Sequence, residues 1–399
     1  MSVKIGPFTL NSRVYVPPMA GVTDVVFRDI VRRIDPECMM STEMVSSRAL
    51  LAKPESRIMD LLENEHPIGI QIFGHEPDVM AFAAQLAEKR GADFVDINMG
   101  CPVPKITKGK DGCALMREPE LAREIISTVK SAIKIPVTVK FRLGWDDSTR
   151  NAVEFGRMVE ESGASMVTVH GRTRAQLYSG QADWNFIAKV KAALSIPVFG
   201  NGDVFSPENA LRLLEITGCD GVAVARGSLG NPWLIPRITK YLDHGILDDP
   251  PDDVEKLICA YLHSVGLVKY KGLRIGVNES RRHVINYTKG IVGAAPYRAR
   301  LTQVLDLQAA ADILAELALV VGGSEGHQRF LLAVEKNNLE NSKHPGEGHS
   351  DREPQLISVP SCQSQYHKMA LMNGVMVQPM MPAINAKSRS VAQKSIFAC

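Results

Sequence analysis

Five polar residues occupy matching places in this sequence, each at or near the end of a short β-rich run. They are Gln71, Asn98, Lys140, His170 and Asn201. Together they offer hydrogen-bond donors, hydrogen-bond acceptors and a cation. A single polar residue at a strand end is as often a cap or a hydrogen-bonded core group. Five at equivalent places are harder to explain by the fold alone, and they indicate a ligand with a polar edge.

Two glycine-containing turns follow the last two β-rich runs. They read Asn201-Gly202-Asp203 and Ala225-Arg226-Gly227. Backbone amides and a cation at such turns bind a dianion, so these segments indicate a phosphate site. A tight turn also needs glycine for purely structural reasons, and each motif alone is weak evidence.

Cys101 lies in the segment Asn98-Met99-Gly100-Cys101-Pro102, directly after one of these runs. A lone cysteine is more often a small buried hydrophobe than a catalyst, but a loop at a polar strand end favours chemistry. With an ordinary pKa of ~8.5 the thiol is protonated near neutral pH and can donate a proton. The sequence places no histidine beside Cys101 that would activate it as a nucleophile. Pairing with a histidine that is distant in sequence but close in space stays open.

The eight β-rich runs that must position these residues alternate with amphipathic helical runs. We predict strands over residues 14–19, 39–43, 68–73, 94–98, 137–141, 166–170, 198–201 and 221–225. Alternating strands and helices indicate parallel β/α units, and eight units fit the ~250 residues typical of a (β/α)8 TIM barrel. The proline and glycine residues between the units would suit a doubly wound sheet as well. We predict an α/β fold and, from the count of eight, a TIM barrel.

Side-chain parity along these strands places the polar residues inside the barrel. Every second residue of a strand points to the same face, so Asp96 shares a face with Asn98, and Thr138 with Lys140. Their apolar neighbours, such as Val139, should face the helices. The polar strand ends then converge at the carboxyl mouth of the barrel, which carries the active site in barrel enzymes.

The pattern divides the chain into three regions. Residues 1–245 form the predicted barrel, and residues 250–320 read as a smaller all-α helical domain. Residues 322–399 are rich in Ser, Gln, Asn and Met without a sustained period, so we predict a disordered or loosely ordered tail there.

Composition narrows the class of protein. The 399-residue chain is 45% hydrophobic with a formal net charge of +2, as expected for a soluble globular protein. Without a run of ~18 apolar residues or a basic start before an apolar core, we predict no membrane span and no secretory signal. The seven cysteines are scattered and form no C-x-x-C motif, which indicates a reduced cytoplasmic protein without disulfides or a metal site. We expect a monomer.

An ordered set of motifs resembles the tRNA-dihydrouridine synthases, most closely their bacterial B-type branch. The motifs are PPMAGVTD at 17–24, DINMGCP at 96–102, Lys105 with GKDGCALM at 109–116, VKFRLG at 139–144, HGRT at 170–173, GNGD at 200–203 and ARGSLGNPW at 225–233. The resemblance covers about residues 3–320 and is highly specific as a set, and the region after residue 322 lies outside it.

That resemblance implies FMN at the barrel mouth. Pro18, Met19 and Ala20 would line the flavin through their backbone, and Gln71 would hydrogen-bond the pyrimidine edge of its ring system. Lys140 would lie near the N1–C2 carbonyl region, where a cation stabilises the anionic reduced flavin. The remaining cofactor contacts would be His170 and, around the ribityl phosphate, Asn201, Gly202, Asp203, Ala225 and Arg226.

The resemblance also implies a reaction in two halves. NADPH first reduces FMN, and a target uridine is flipped out of the tRNA into the pocket. The flavin gives hydride to C6 of the uracil and Cys101 gives a proton to C5. Asn98 and Arg142 would hold the base, with Tyr178 near it.

The predicted helical domain carries a local excess of positive charge. Between His263 and Gln303 there are eight Lys and Arg residues against one acidic residue, Glu279, and three tyrosines lie among them. Such a surface suits RNA phosphates, although a solvated helical face is the common explanation of a charge run. Attached to this barrel, it favours RNA, with Arg281 and Arg282 as the predicted contacts.

Two other functions remain open from the sequence. The first is an FMN barrel that acts on a free pyrimidine or a related metabolite, for which the basic helical domain would have no purpose. The second is an RNA-binding or tRNA-chaperoning protein with a degenerate barrel, which would not bind FMN. The complete set of polar strand ends makes the second less attractive.

Overall fold

Eight parallel strands close into a barrel in the computed structural model, which describes residues 2–342. The barrel strands are β3 (Val14–Val16), β4 (Met39–Ser41), β6 (Ile68–Phe73), β7 (Phe94–Met99), β8 (Val137–Arg142), β9 (Met166–His170), β10 (Val198–Asn201) and β11 (Gly221–Ala223). Each pairs in parallel with the next, β4 pairs with β6, and β11 returns to β3. The predicted TIM barrel is confirmed. Strands β3, β4 and β11 end earlier than predicted, so Met19, Glu43 and Ala225 lie in loops.

Three further short strands occur within residues 2–342. The hairpin of β1 (Val3–Ile5) and β2 (Phe8–Leu10) is antiparallel, and β5 (Val45–Ser46) extends the pairing of β6. Val3, Ile5 and Leu10 of the hairpin pack with Phe94 and other inward residues of the barrel strands. The amino end of the barrel is therefore closed by an apolar plug, which leaves the carboxyl mouth for a ligand.

Nine helices accompany the barrel strands. They are α1 (Val25–Ile34), α2 (Ser47–Ala52), α3 (Pro77–Lys89), α4 (Pro104–Thr107), α5 (Pro119–Ala132), α6 (Ala152–Glu161), α7 (Trp184–Ala192), α8 (Pro207–Thr217) and α9 (Leu234–His244). Short 3-10 turns occur at Arg57–Met59, Gly112–Arg117, Asp147–Thr149 and Arg226–Ser228. Helix α8 shows the local logic: Ser206 caps Asn209 N–H, Pro207 opens the helix, and Gly218 ends it with a left-handed φ of 65°.

The interior of the barrel follows the predicted parity. The outward residues Ile70, Ile97 and Val139 belong to the main core between the strands and the helices. Inward positions carry rings at the bottom, where an added Cβ on Gly69 would lie 2.2 Å from the Phe94 ring. Glycine at that position is what lets the ring fill the barrel, while the polar residues occupy the layers above it.

A second core belongs to four helices that follow the barrel. They are α10 (Asp253–Lys271), α11 (Leu273–Tyr287), α12 (Ala295–Leu301) and α13 (Leu307–Ser342). Val26 and Ile30 of α1 join this core, so the helical region packs directly on the barrel. The chain thus forms a barrel with one hydrophobic core, followed by a helical region with a second core, which is the predicted order.

Helix α13 runs past the predicted start of the tail. It bends at Gly323, whose φ of 61° and ψ of −159° are not helical, and continues to Ser342. Phe330 is fully buried in this continuation and meets Tyr261 of α10 edge to face. Apart from the bend at Gly323, residues 322–342 are helical and Phe330 ties them to the second core, so the prediction of a tail from residue 322 is wrong for them. The rest of the predicted tail lies outside the described residues.

Two general features of the described residues bear on the class of protein. Leu307–Leu339 is long and apolar enough to cross a membrane by length and composition alone, a test that the core helix of a soluble protein also passes. Within residues 2–342 there is no group of three or more His, Cys, Asp or Glu side chains that could hold a metal ion.

Candidate active site

A cavity of about 390 Å³ opens at the carboxyl mouth of the barrel. Fifteen of the predicted site residues line it: Pro18, Met19, Ala20, Gln71, Asn98, Cys101, Lys140, Arg142, His170, Tyr178, Asn201, Gly202, Asp203, Ala225 and Arg226. Arg281 and Arg282 do not line it. The structure thus brings the predicted cofactor, base and thiol residues to one chamber, while the two predicted RNA contacts lie elsewhere.

The cavity also has apolar walls that the sequence analysis missed. They include Val22, Met44, Val103, Phe205 and Leu229. These residues come from loops, where an apolar side chain has no periodic signal that would mark it as a ligand contact. Walls of this kind suit the flat face of an aromatic ligand.

Asn98 shapes the loop that carries Cys101. Its Oδ1 accepts hydrogen bonds from the backbone N–H groups of Gly100 at 3.2 Å and of Cys101 at 2.9 Å. Its Nδ2 donates to Gln71 Oε1 at 2.8 Å. Both ends of the Asn98 amide are therefore committed to the protein, and the loop is held from inside the barrel.

The Cys101 thiol is half-buried at the edge of the cavity. Burial raises its pKa, against a smaller lowering by the Val103 backbone and by the cations of Arg142 and Lys140. The thiol is therefore protonated at neutral pH. A protonated thiol at a cavity wall can act as a general acid.

Lys140 is the ammonium group in the cavity wall, which Arg142 and Arg226 also line. Its Nζ lies 3.2 Å from Asn201 Oδ1, and Asn201 Nδ2 donates to the Ala223 carbonyl at 2.7 Å. Burial and the neighbouring Arg142 lower the pKa of Lys140 to about 8. The ammonium is charged at neutral pH but loses its proton far more readily than an ordinary lysine.

His170 is buried near four cations, of which Arg226 has the smallest effect, and it is neutral. Burial first, and then Arg142, Lys140 and Arg172, hold its pKa well below the ordinary value. Its Nε2 lies 3.4 Å from Arg172 Nη1. A neutral imidazole can accept or donate a hydrogen bond to a ligand, but it contributes no charge.

Arg142 is occupied mainly by the protein backbone. Nε donates to the Gly100 carbonyl at 2.8 Å, and Nη1 donates to the carbonyls of Thr173 and Leu177 at 3.0 and 2.8 Å. The guanidinium therefore ties the Cys101 loop to the loop after β9. Within residues 2–342 its Nη2 has no hydrogen-bond partner, so this nitrogen can still meet a ligand.

Tyr178 stands at the rim of the cavity with 53% of its surface exposed. The guanidinium carbons of Arg142 and Arg226 lie 5.5 and 5.2 Å from its ring centre, and the His170 ring centre is 6.4 Å away. An exposed ring flanked by cations offers a stacking surface at the entrance.

The two glycine turns meet at the mouth as predicted. Asp203 accepts from Arg172 Nη2 at 2.7 Å and from Arg226 Nη2 at 3.1 Å. Asp203 has a left-handed φ of 59°, and a Cβ on Gly202 would lie 2.7 Å from the Ala182 methyl group. The turn therefore has a fixed shape that requires glycine at Gly202.

Several backbone amides of these turns are free to bind an anion. Within the described residues, the N–H groups of Asp203, Val204, Arg226 and Gly227 donate no hydrogen bond to another backbone group. Converging N–H groups beside an arginine form a nest for a phosphate group. Arg172, which the sequence analysis did not single out, neutralises part of the Asp203 charge beside this nest.

The two predicted RNA contacts of the helical region differ from each other. Arg281 donates from Nε and Nη2 to the Val304 carbonyl at 3.0 and 2.5 Å, so it serves the packing of the helices. Arg282 is exposed, and its Nη2 lies 2.8 Å from where a Cβ on Gly21 would be. Gly21 belongs to the loop whose neighbours Ala20 and Val22 line the cavity, so Arg282 borders the mouth.

Comparison with known proteins gives one consistent family. Residues 15–320 match the family model described as dihydrouridine synthase. A "Probable tRNA-dihydrouridine synthase 1" from Synechocystis sp. is 49% identical over 313 residues, which are 78% of this chain and 88% of that protein. A "Probable tRNA-dihydrouridine synthase" from Rickettsia prowazekii is 41% identical over 322 residues, which are 80% of this chain and 98% of that protein.

Another relative carries the B-type name. The "tRNA-dihydrouridine synthase B" of Pseudomonas aeruginosa is 39% identical over 310 residues, which are 77% of this chain and 93% of that protein. Among solved structures, histamine dehydrogenase from Rhizobium sp. 4-9 has a TM-score of 0.48 and 18% identity, covering 65% of this chain and 50% of that one. That likeness is too weak to bear on function.

Proposed function

The chain belongs to the dihydrouridine synthase family, and we propose that it reduces specific uridines of tRNA to dihydrouridine with FMN as hydride donor and Cys101 as proton donor. The observation that carries this proposal is a single cavity lined by a protonated thiol, a buried ammonium and two amide-rich turns. A thiol alone or a phosphate nest alone would not point to this reaction. The thiol, the amide-rich turns and Lys140 in one cavity together supply the proton donor, the phosphate site and the cation that a flavin-dependent reduction of a ring needs.

The donor set of the cavity fits a flavin with a phosphate. The unpartnered N–H groups of Asp203 and Arg226 with the Arg226 side chain would hold the phosphate, and Lys140 would lie against the polar edge of the ring system. When bound, the flavin would supply the hydride that reduces the C5–C6 double bond of uracil. Lys140 would stabilise negative charge on the reduced ring system, as a fixed cation in a sheltered site does.

Cys101 would supply the proton that forms the new C–H bond at C5 of the uracil. Asn98 holds the backbone of the Cys101 loop, and burial keeps the thiol protonated. A proton donor with a raised pKa needs a proton back from solvent after each turnover, and the half-exposed position of Cys101 allows this. The product gains one hydride at C6 and one proton at C5.

The uracil base would lie between Cys101 and the rim residue Tyr178. Arg142 would contribute Nη2, since Nε and Nη1 are occupied by backbone carbonyls. Asn98 would contribute mainly through the loop that it holds, because both ends of its amide have protein partners. This revises the direct base contact that the resemblance implies for Asn98.

tRNA would be bound by exposed cations near the mouth. Lys105, Lys108 and Lys110 lie in α4 and the turn after it, shortly beyond Cys101, and all three are exposed. Within the described part of the chain they have no ion-pair partner. Phosphates that flank a flipped uridine must stay outside the cavity, where this lysine turn could meet them.

The helical region would contribute a smaller set of cations than its composition suggests. Lys271 is paired with Asp24 and Glu279, and Arg300 is paired with Glu316. Exposed cations without an ion pair among residues 2–342 include Arg274, Arg282 and Lys289. We propose these three in place of Arg281 as RNA contacts, with NADPH as the reductant and a cytoplasmic monomer as the working form.

The proposed function is tested by mapping dihydrouridine in vitro. Purified protein that binds FMN is given NADPH and an unmodified tRNA transcript, and the RNA is fragmented and weighed. A gain of two hydrogens at defined uridines supports the proposal. Reduction of free uracil without reduction of tRNA would select the metabolite enzyme, and failure to bind FMN would select the RNA-binding protein with a degenerate barrel.

A further inference from the structure

The proposed reaction leaves one carboxylate inside the barrel without a role. Asp96 of β7 is fully buried. Its Oδ1 accepts from Thr138 Oγ1 at 2.6 Å, and its Oδ2 accepts from Gln71 Nε2 at 2.5 Å. The strand register sets Asp96 opposite Gln71 on one side and Thr138 on the other. A buried carboxylate is costly, and a barrel interior that only needed filling would use an apolar residue there.

These contacts continue as a chain to the Cys101 loop. Gln71 Oε1 accepts from Asn98 Nδ2 at 2.8 Å, and Asn98 Oδ1 accepts from the N–H of Cys101 at 2.9 Å. Gln71 and Asn98 are both buried at the inner wall of the cavity, and the protein occupies both ends of each amide. The chain therefore connects a carboxylate deep in the barrel to the backbone of the thiol.

The Asp96 carboxylate fixes the direction of these hydrogen bonds at one end. An ionised Asp96 only accepts hydrogen bonds, so Gln71 must turn its NH₂ group toward it and its oxygen toward Asn98. Asn98 must then turn its NH₂ group toward Gln71, which leaves its oxygen for the Cys101 loop. Either amide could flip by 180° at little cost in shape, and two fixed ends oppose this. They are the Asp96 carboxylate, which accepts from Gln71, and the N–H groups of Gly100 and Cys101, which donate to Asn98.

We propose that Asp96, with its donor Thr138, is a positioning residue that sets the amide orientation of Gln71, which supports Asn98 and thereby holds Cys101 in place to donate its proton. The proposal rests on the proposed function, because it assigns a means of aligning the acid of that reaction. Asp96 does not line the cavity, and its hydrogen bonds lead to the Cys101 loop through the two amides.

The first test replaces Asp96 with a residue of the same shape. In Asp96→Asn the new NH₂ group can donate to Gln71, so Gln71 can turn its oxygen away from Asn98. The Asn98 NH₂ group then loses its acceptor, which loosens the hold of Asn98 on the Cys101 loop. We expect uridine reduction to slow by about 100-fold, the scale of a small misplacement of a reacting group. Well below pH 8, where Lys140 is charged, the reduction of bound flavin by NADPH should change much less, which separates the proposal from a general loss of structure.

A matched pair of threonines supplies the second test. Thr138 donates to Asp96, whereas Thr168, a fully buried residue of the neighbouring strand β9, has a hydroxyl with no hydrogen-bond partner among the described residues. Thr138→Val should slow uridine reduction about five- to tenfold, because Asp96 loses one of two donors. Thr168→Val removes a hydroxyl of the same size from the same interior and should leave the rate unchanged.

A double-mutant cycle with Cys101→Ala decides whether Asp96 acts through the thiol. If it does, Asp96→Asn should cause little further loss of uridine reduction once Cys101 is absent. A full additional loss in that background, or a wild-type rate in Asp96→Asn, would overturn the proposal. If the wild-type protein makes no dihydrouridine at all, the proposed function itself fails, and the two failures are thereby distinguishable.

Discussion

At Cys101, burial and nearby cations act on one thiol in opposite directions. Burial raises the pKa, while Arg142, Lys140 and the Val103 backbone lower it by less. The result is a group that stays protonated at neutral pH yet lies beside positive charge. A nucleophilic cysteine would need the reverse balance, a lowered pKa, so the geometry favours an acid over a nucleophile.

Removing the thiol should separate cofactor binding from reduction of the base. In Cys101→Ala we expect retained FMN and flavin reduction, but uridine reduction slowed by about 10²–10⁴-fold, the contribution of a positioned general acid. Cys219→Ala is the control. The Cys219 thiol is also buried, with its pKa raised to about 11, but it lies near the amino end of the barrel, away from the cavity. A folded Cys101→Ala protein that lost its flavin would contradict this division of roles.

The lowered pKa of Lys140 predicts a pH dependence. Its charged form is present below about pH 8 and is lost as the pH rises through that value. The reduced flavin would then lose its fixed cation, so the rate of flavin reduction by NADPH should fall above about pH 8. Stopped-flow measurement across pH 6–10 checks this, with Lys140→Arg, which stays charged, as the comparison. The same alkaline fall in both proteins would mean that another group causes it.

At the scale of strands and helices, the sequence predicted the features that follow from the local alternation of apolar and polar residues, namely the strands and the faces to which their side chains point. Strand parity placed Gln71, Asn98 and Lys140 inside the barrel because the alternation of side chains is a property of one strand alone. The hydrogen-bond partners of those side chains depend on the register between strands. The series of hydrogen bonds from Asp96 through Gln71 and Asn98 to Cys101 was therefore not predictable. Arg281 was chosen by charge, but its contact with Val304 arises from helix packing.

The end of α13 gives the clearest example of tertiary contact overriding composition. The sequence after residue 322 is polar and lacks a period, yet Phe330 is fully buried against Tyr261. One aromatic anchor can order a helix whose composition alone would not predict it, because most helix stability in proteins comes from packing.

That anchor should be measurable in the stability of the protein. Phe330→Ala removes a fully buried ring, so we expect a loss of about 3–5 kcal/mol in the free energy of unfolding. Leu332→Ala is the matched control, since Leu332 is 56% exposed and should change the stability by less than about 0.5 kcal/mol. Urea unfolding followed by circular dichroism compares the two. Equal effects would show that residues 322–342 add nothing to the second core.

Over the whole molecule, a net charge of +2 conceals an uneven distribution of cations. Ion pairs neutralise Lys271 and Arg300, whereas the lysine turn of Lys105, Lys108 and Lys110 remains exposed beside the cavity. Arg282 adds a cation from the helical region at the loop of Gly21. A tRNA held by both parts would have its phosphates outside and one base inside, which is the geometry that a flipped uridine requires.

The contribution of the lysine turn to tRNA binding can be read from salt dependence. Each phosphate contact releases counterions, so replacing Lys105, Lys108 and Lys110 with Glu should lower the slope of log affinity against log salt by about 2–3. Flavin content should not change, because these side chains do not line the cavity. Lys89→Glu with Lys134→Glu is the control, since both exposed lysines lie at the amino end of the barrel, where α3 ends and where the chain enters β8. If the control pair lowered the slope as much as the lysine turn, binding would depend on the total charge of the protein and not on cations at the mouth.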